Sequence, residues 1–190
     1  AQLHAMIDAN ERIKYDARNR NLLKTRNALL LKFLYLTAAR RSEAANLKWE
    51  DLQQDGEFQV VILQQTKSGE PQKLKLRREL FEELECWNET LKTNQIECEW
   101  VFPSLSFRTL GGKMSGKGVN DVVSKLGSAI GLKISAHYLR HTAITLALEL
   151  GEPLQKVQSY ARHASANTTI RYFHDQQFLE KNPTDRLPMI

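Results

Sequence analysis

The chain lacks any apolar run near the roughly 18 residues that a membrane-crossing helix requires, so no membrane role is expected. Cysteine is scarce. Cys86 and Cys98 are the only two, with no CxxC spacing, which argues against both a disulfide framework and a zinc ligand set and fits a reducing, cytoplasmic setting. Asp and Glu form no cluster with the spacing of a two-metal phosphoryl-transfer site, so neither a metal nor a cofactor is expected. Internal repeats, low-complexity tracts and a signal or targeting segment are missing too, and the first residue is Ala1 rather than Met, from which an excised piece of a longer protein is expected.

What is present is ordinary in bulk. A chain of 190 residues with 42% hydrophobic and 26% charged side chains has room for one substantial core, and one domain is the simplest reading. Lys and Arg number 27 against 22 Asp and Glu, giving a net charge of +5 and a pI near 9.2, which favours a polyanionic partner. Charge alone does not decide this, because scattered Lys is commonly a solvated surface.

Periodicity predicts a mainly α chain with a small antiparallel β-sheet, an α+β fold. Between Asn21 and Ala39, Leu22, Leu29, Leu30, Leu31, Phe33 and Leu34 among others fall on nearly every side of a helix, the pattern of a central buried element. Arg41 to Leu47 predicts a short second helix. Phe58 to Leu63 and Gln72 to Leu76 alternate as the two strands of a hairpin, with Lys67 in the turn. Leu80 to about Leu91 is helical, and Pro103 to Gly118, rich in Ser and Gly, predicts a loop. Helices follow over Val119 to Ile130 and Ala136 to Leu150. Gly151 ends the latter and Pro153 begins the next, which runs to about Arg162. Ser165 is placed to cap a short helix carrying Thr168, Thr169 and Tyr172.

Several residues able to act on an anion punctuate these elements, each with a commonplace explanation. Arg40 at a helix end can cap carbonyls, Lys67 is at home in a turn, and His137 and Arg140 share a helix face where an ion pair would account for them. His163 between helices can cap, and Tyr172 can pack. Their order and surroundings carry more. Thr37-Ala38-Ala39-Arg40-Arg41-Ser42-Glu43, then Thr66-Lys67-Ser68-Gly69, then His137-Tyr138-Leu139-Arg140-His141-Thr142, then His163-Ala164-Ser165 and Thr168-Thr169-Ile170-Arg171-Tyr172 resemble, in sequence, the T-G-x-R-x-S-E, lysine-turn, H-x-L-R-H-T, H-x-S and T-T-x-x-Y motifs of the tyrosine recombinase and phage integrase family. The resemblance spans roughly positions 20 to 174. It departs from the family at Ala38, commonly Gly, and at Ala161-Arg162, usually Leu-Gly, where glycine would ease a tight turn.

The resemblance implies a tyrosine recombinase catalytic domain over residues 1–190. Residues 1–20 would be a lead-in and 175–190 a tail, and a separate N-terminal core-binding domain is not contained in this chain. It implies strand cleavage and rejoining on double-stranded DNA through a 3′-phosphotyrosine at Tyr172. Arg40 and Arg140 would hold the non-bridging oxygens with fixed, permanently charged donors. His137 and His163 would add donors, His137 would accept the phenolic proton, and Lys67 would protonate the leaving 5′ oxygen. Glu43 and His141 would orient these groups, and His174 would cap or pack. The apolar residues Phe178, Leu179, Leu187, Met189 and Ile190 predict a tail that docks on a core, its own or a neighbour's, and the resemblance implies that such tails join a homo-tetramer on nucleoid DNA. Alternatives are an inactive DNA-binding module of the same fold and a type IB topoisomerase-like enzyme. A histidine phosphatase ranks below both, because Thr142 follows Arg140-His141 where that chemistry has glycine.

Overall fold

A computed structural model describes residues 2–64, 70–163 and 169. Within the segment expected as a lead-in, Gln2–Arg12 form helix α1, which buries Met6, Ala9 and Asn10. Helix α2 (Arg20–Thr37) is the central element, with Leu30, Leu31, Phe33 and Leu34 inaccessible to solvent. Helices α1, α4 (Arg78–Thr93) and α6 (Ala136–Glu149) all pack on it. A dense apolar helix of this kind can be covered only from several directions at once.

Helix α3 (Arg41–Ala45) turns away from the end of α2, and a short 3-10 turn over Trp49–Asp51 leads into three antiparallel strands in sheet order: β1 (Leu52–Asp55), β2 (Phe58–Leu63) and β3 (Gln72–Lys75). The hairpin register pairs Val61 with Leu74 and Leu63 with Gln72. Alternation does not predict β1, whose Leu52-Gln53-Gln54-Asp55 offers one partly buried apolar residue. It forms because Gly56 at φ 60° closes a tight turn that lays it on β2.

Helix α4 (Arg78–Thr93) seals the core with Leu80, Leu84, Trp87 and Leu91. The buried indole N–H of Trp87 donates to Val101 O at 2.8 Å, and Phe33 meets Phe102 at 5.5 Å between ring centres. Helix α5 runs over Gly116–Ser128, three residues earlier than periodicity predicts. Ser115 is the reason: its hydroxyl accepts from Gly118 N, and this cap carries the helix back into the segment expected as loop. Helices α6 (Ala136–Glu149) and α7 (Leu154–Ala161) follow, separated by Gly151 at φ 85° and Pro153.

A small second cluster ties α6 and α7 to the end of α2. It consists of Ala38, Ala143, Ile144, Leu148, Val157 and Ala161. This cluster fixes where the basic residues of α6 and the α7 end stand relative to Arg40. No described helix is long and apolar enough to cross a membrane.

Candidate active site

Helix α2 ends in a left-handed corner at Ala38 (φ 46°, ψ 35°), and α7 ends in another at Arg162 (φ 55°, ψ 46°). These are the two places where the sequence carries a side chain instead of the family's glycine. The last four carbonyls of any helix lack partners within it. At the end of α2 they find them on α6 and α7. The Tyr160 hydroxyl lies within hydrogen-bonding distance of Tyr35 O and Leu36 O at 3.2 and 3.1 Å, and Arg162 donates to Thr37 O at 3.0 Å. Ala38 O accepts from both Arg162, at 2.8 Å, and Arg140. Cations at a helix C-terminus are also favoured by the helix dipole.

The second terminal nitrogen of Arg140 donates to Ala161 O, so the guanidinium bridges the two left-handed corners. Arg140 is buried, and two of the five donors of a guanidinium suffice to fix its plane. Arg40 follows the first corner directly. Its Nη1 donates to Glu43 Oε1 at 2.6 Å, its backbone N–H to Glu43 Oε2 at 2.7 Å, and its Nη2 to Arg162 O at 3.1 Å. Glu43 Oε2 also accepts from Arg162 at 3.0 Å. Two guanidinium groups thus share one carboxylate. Burial pushes the Glu43 carboxyl up, but the charge of Arg162 and the bonds and charge of Arg40 outweigh this and leave it below the usual carboxylate range.

Arg40, His137 and Arg140 open onto one cleft of about 520 Å³. Ala39 to Ser42 form one wall, and the start of α6 forms the other. Asn120 of α5 joins them, its Oδ1 accepting the Ala136 N–H at 3.1 Å, while Ser124 donates to Ile134 O. His137 is exposed at the mouth, with its ring edge-on to His141 at 5.0 Å. His141 is lowered by burial, then by His137 and Arg140. His163 is driven down to about 4, first by burial and then by Arg140, Arg40, Arg162 and His141, so its ring is neutral at pH 7. Its Nδ1 shares a hydrogen bond of 2.8 Å with Thr169 Oγ1.

The structure therefore brings together Arg40, Glu43, His137, Arg140, His141 and His163. Lys67 and Tyr172, with the N-cap expected at Ser165 and the tail containing His174, lie outside the described residues. Lys73 and Lys75, the other cations of the hairpin, stand on its exposed face. Lys73 pairs with Asp55 at 2.8 Å and Lys75 lies 4.5 Å above the Phe58 ring. Two participants escape sequence reasoning. Asn120 gives no signal in an amphipathic helix, and Arg162 registers only as a departure from glycine. Among the described residues, no group of three or more His, Cys, Asp or Glu could hold a metal ion. Chemically, the cleft has what an anion needs: guanidinium groups fixed by their own hydrogen bonds and an exposed imidazole at the entrance.

The profile of the phage integrase family matches residues 2–178. The chain belongs to the phage integrase family. Among its relatives in that family, a tyrosine recombinase of Synechococcus elongatus is 31% identical over 173 residues, covering 89% of this chain and 53% of that protein. The tyrosine recombinase XerA of Pyrococcus horikoshii is 33% identical over 147 residues, covering 77% and 50%. The chain thus spans about half the length of the curated relatives it matches. A crystal structure of the XerH site-specific recombinase in a post-cleavage complex with a palindromic difH substrate superposes with a TM-score of 0.75 at 26% identity, over 94% of this chain and 50% of that one. The XerA recombinase crystal structure shares the fold, with a TM-score of 0.72 at 21% identity over 100% of this chain and 62% of that one. The mainly α architecture with its small antiparallel sheet is that of the family's catalytic domains.

Proposed function

We propose that the chain is the catalytic part of a site-specific recombinase that cleaves and rejoins double-stranded DNA through a 3′-phosphotyrosine on Tyr172. One observation carries this: Arg40 and, about 100 residues later, the pair His137 and Arg140 face one cleft, with the charges of the same arginines acting on His163. In this reading Arg40 and Arg140 bind the non-bridging oxygens of the scissile phosphate, where charge accumulates as the phenolic oxygen attacks. His137 takes the phenolic proton, His163 donates to the phosphate, and Lys67 protonates the departing 5′ oxygen. Glu43 holds Arg40, and His141 packs against His137. The phosphotyrosine bond replaces the phosphodiester bond that breaks, so a 5′ hydroxyl can reverse the step without ATP. No metal or cofactor enters.

We further propose that the protein acts in the cytoplasm on nucleoid DNA, as a homo-tetramer joined through residues 175–190, with a separate N-terminal domain closing around the DNA. The deciding experiment is covalent trapping on nicked duplex DNA. The parent protein should form an adduct, and Tyr172→Phe should bind the same duplex and form none. An adduct formed by Tyr172→Phe, or none formed by the parent on its own recombination site, would remove the assignment.

A further inference from the structure

We infer that Arg162 is a positioning residue for the phosphate site, an inference that rests on the strand-cleavage reading above. Glycine is the residue that suits a helix end at φ 55°, because a Cβ disfavours that conformation. Arginine there gains nothing from the backbone, so its side chain must account for it.

The guanidinium of Arg162 is almost wholly buried, with its side chain 2% exposed. Nη1 donates to Thr37 O and Tyr160 O, each at 3.0 Å, and Nη2 to Ala38 O at 2.8 Å and Glu43 Oε2 at 3.0 Å. One side chain therefore holds the end of α2, the last turn of α7 and the carboxylate that grips Arg40. Arg162 does not line the cleft, so it acts through its neighbours.

Two effects follow from these bonds. Geometrically, Arg162 braces the left-handed corner at Ala38, directly before Ala39 and Arg40, and shares the Ala38 carbonyl with Arg140. Electrostatically, it divides the Glu43 carboxylate. With Arg162 present, Arg40 contends for Glu43 against a second guanidinium, and two positive charges share one negative. Without it, Glu43 draws Arg40 more firmly and the cluster loses one positive charge. Both changes weaken the grip of Arg40 on a phosphate while leaving every cleft-lining side chain in the sequence.

The test uses the full-length protein and a nicked duplex that the parent converts to covalent adduct. Arg162→Gly removes the guanidinium and also relieves the backbone conformation. At saturating DNA its single-turnover cleavage should be at least tenfold slower than the parent's, with Kd for the duplex within threefold and the protein folded at the assay temperature. Arg162→Gln, which keeps two N–H donors but no charge, serves if the glycine variant does not fold, and it should be at least threefold slower. Cleavage by either folded variant at the parent's rate overturns the proposal, as does a loss of rate matched by an equal loss of affinity. A readout independent of cleavage is the arginine Nε–H spectrum of the DNA-free protein. Arg162→Gly should shift or broaden the Arg40 signal and leave that of Arg26, which is bonded to Asn27 and Pro103, in place. An unmoved Arg40 signal refutes the inference even if the parent forms no adduct, an outcome that counts against strand cleavage instead.

Discussion

Replacing Glu43 with Gln removes one negative charge and almost no volume from a buried carboxylate shared by two guanidinium groups. The carboxylate side chain is fully buried and accepts from Arg40 Nη1, Arg40 N and Arg162 Nη2 at 2.6, 2.7 and 3.0 Å. Breaking one side of a buried ion pair costs about 3–5 kcal/mol, because the surviving charge stays buried without compensation. Gln keeps one acceptor oxygen, but its amide N–H2 must face a donor, so the low end, about 3 kcal/mol, is expected. In a chain of this size that corresponds to a fall in Tm of roughly 6–12 °C. Urea unfolding of parent and Glu43→Gln at pH 7 measures the difference. The pH dependence supplies a second check. A carboxyl whose folded pKa lies below its unfolded value contributes stability that is fully present above the unfolded value of about 4.5 and is lost as pH falls through the folded pKa. The gap between parent and variant should therefore be constant near neutrality and close in acid. A difference below about 1 kcal/mol at pH 7, or a gap that persists in acid, would show that Glu43 is not the counter-charge of this cluster.

Lys67→Ala should cleave an ordinary duplex slowly and a duplex with sulfur at the 5′ bridging position nearly as fast as the parent, since a thiolate leaves unprotonated. Arg40→Ala should show no such rescue, and rescue of Lys73→Ala or Lys75→Ala in place of Lys67→Ala would move the acid to another lysine. Gly127→Ala should destabilise by about 1–3 kcal/mol in a denaturant titration. An added Cβ would lie 2.4 Å from Ile134 Cγ1 and 2.9 Å from Leu132 O, displacing the segment that leads into α6, and unchanged stability would contradict this. Lowering pH from 6.5 towards 4 should destabilise the parent relative to His163→Gln, because the unfolded imidazole binds a proton that the folded one, at about 4, refuses. Solvent screens a half-buried ring, so the effect should be about 1 kcal/mol, and a parent that loses no more stability than the variant over that range would refute it. Deleting residues 176–190 should abolish tetramer assembly on DNA, as read by sedimentation, and an intact tetramer would exclude the tail as its joint.

Much of this architecture was legible because the physics is local. Helix α2 announces itself by apolar residues on every side, the hairpin by alternation, and the α6 to α7 break by Gly151 and Pro153. Strand β1 was not, since Gln53, Gln54 and Asp55 carry no burial pattern and pairing with β2 alone defines them. Ser115 shows the limit of reading by composition: Gly116 and Gly118 suggest loop, yet one hydroxyl cap draws both into α5. At the site, the motifs single out Arg40, His137 and Arg140, which share a cleft, but not why Arg40 and Arg140 hold still. That depends on backbone carbonyls at Ala38, Ala161 and Arg162, which have no signature in a residue string.

The capping of α2 by distant side chains has a consequence for the order in which the molecule is made. The carbonyl of Ala38 waits for Arg140, 102 residues later, and for Arg162, 124 residues later. A nascent chain that has emerged only through the β-sheet and α4 can bury much of its main core, yet its α2 still ends in carbonyls bonded to water and its Arg40 has no wall opposite. Closing loops of that length is slow compared with forming helices and hairpins. The two corners therefore close on Arg140 only when α7 docks. A ribosome-bound fragment cannot brace both corners of the cleft before α7 has emerged.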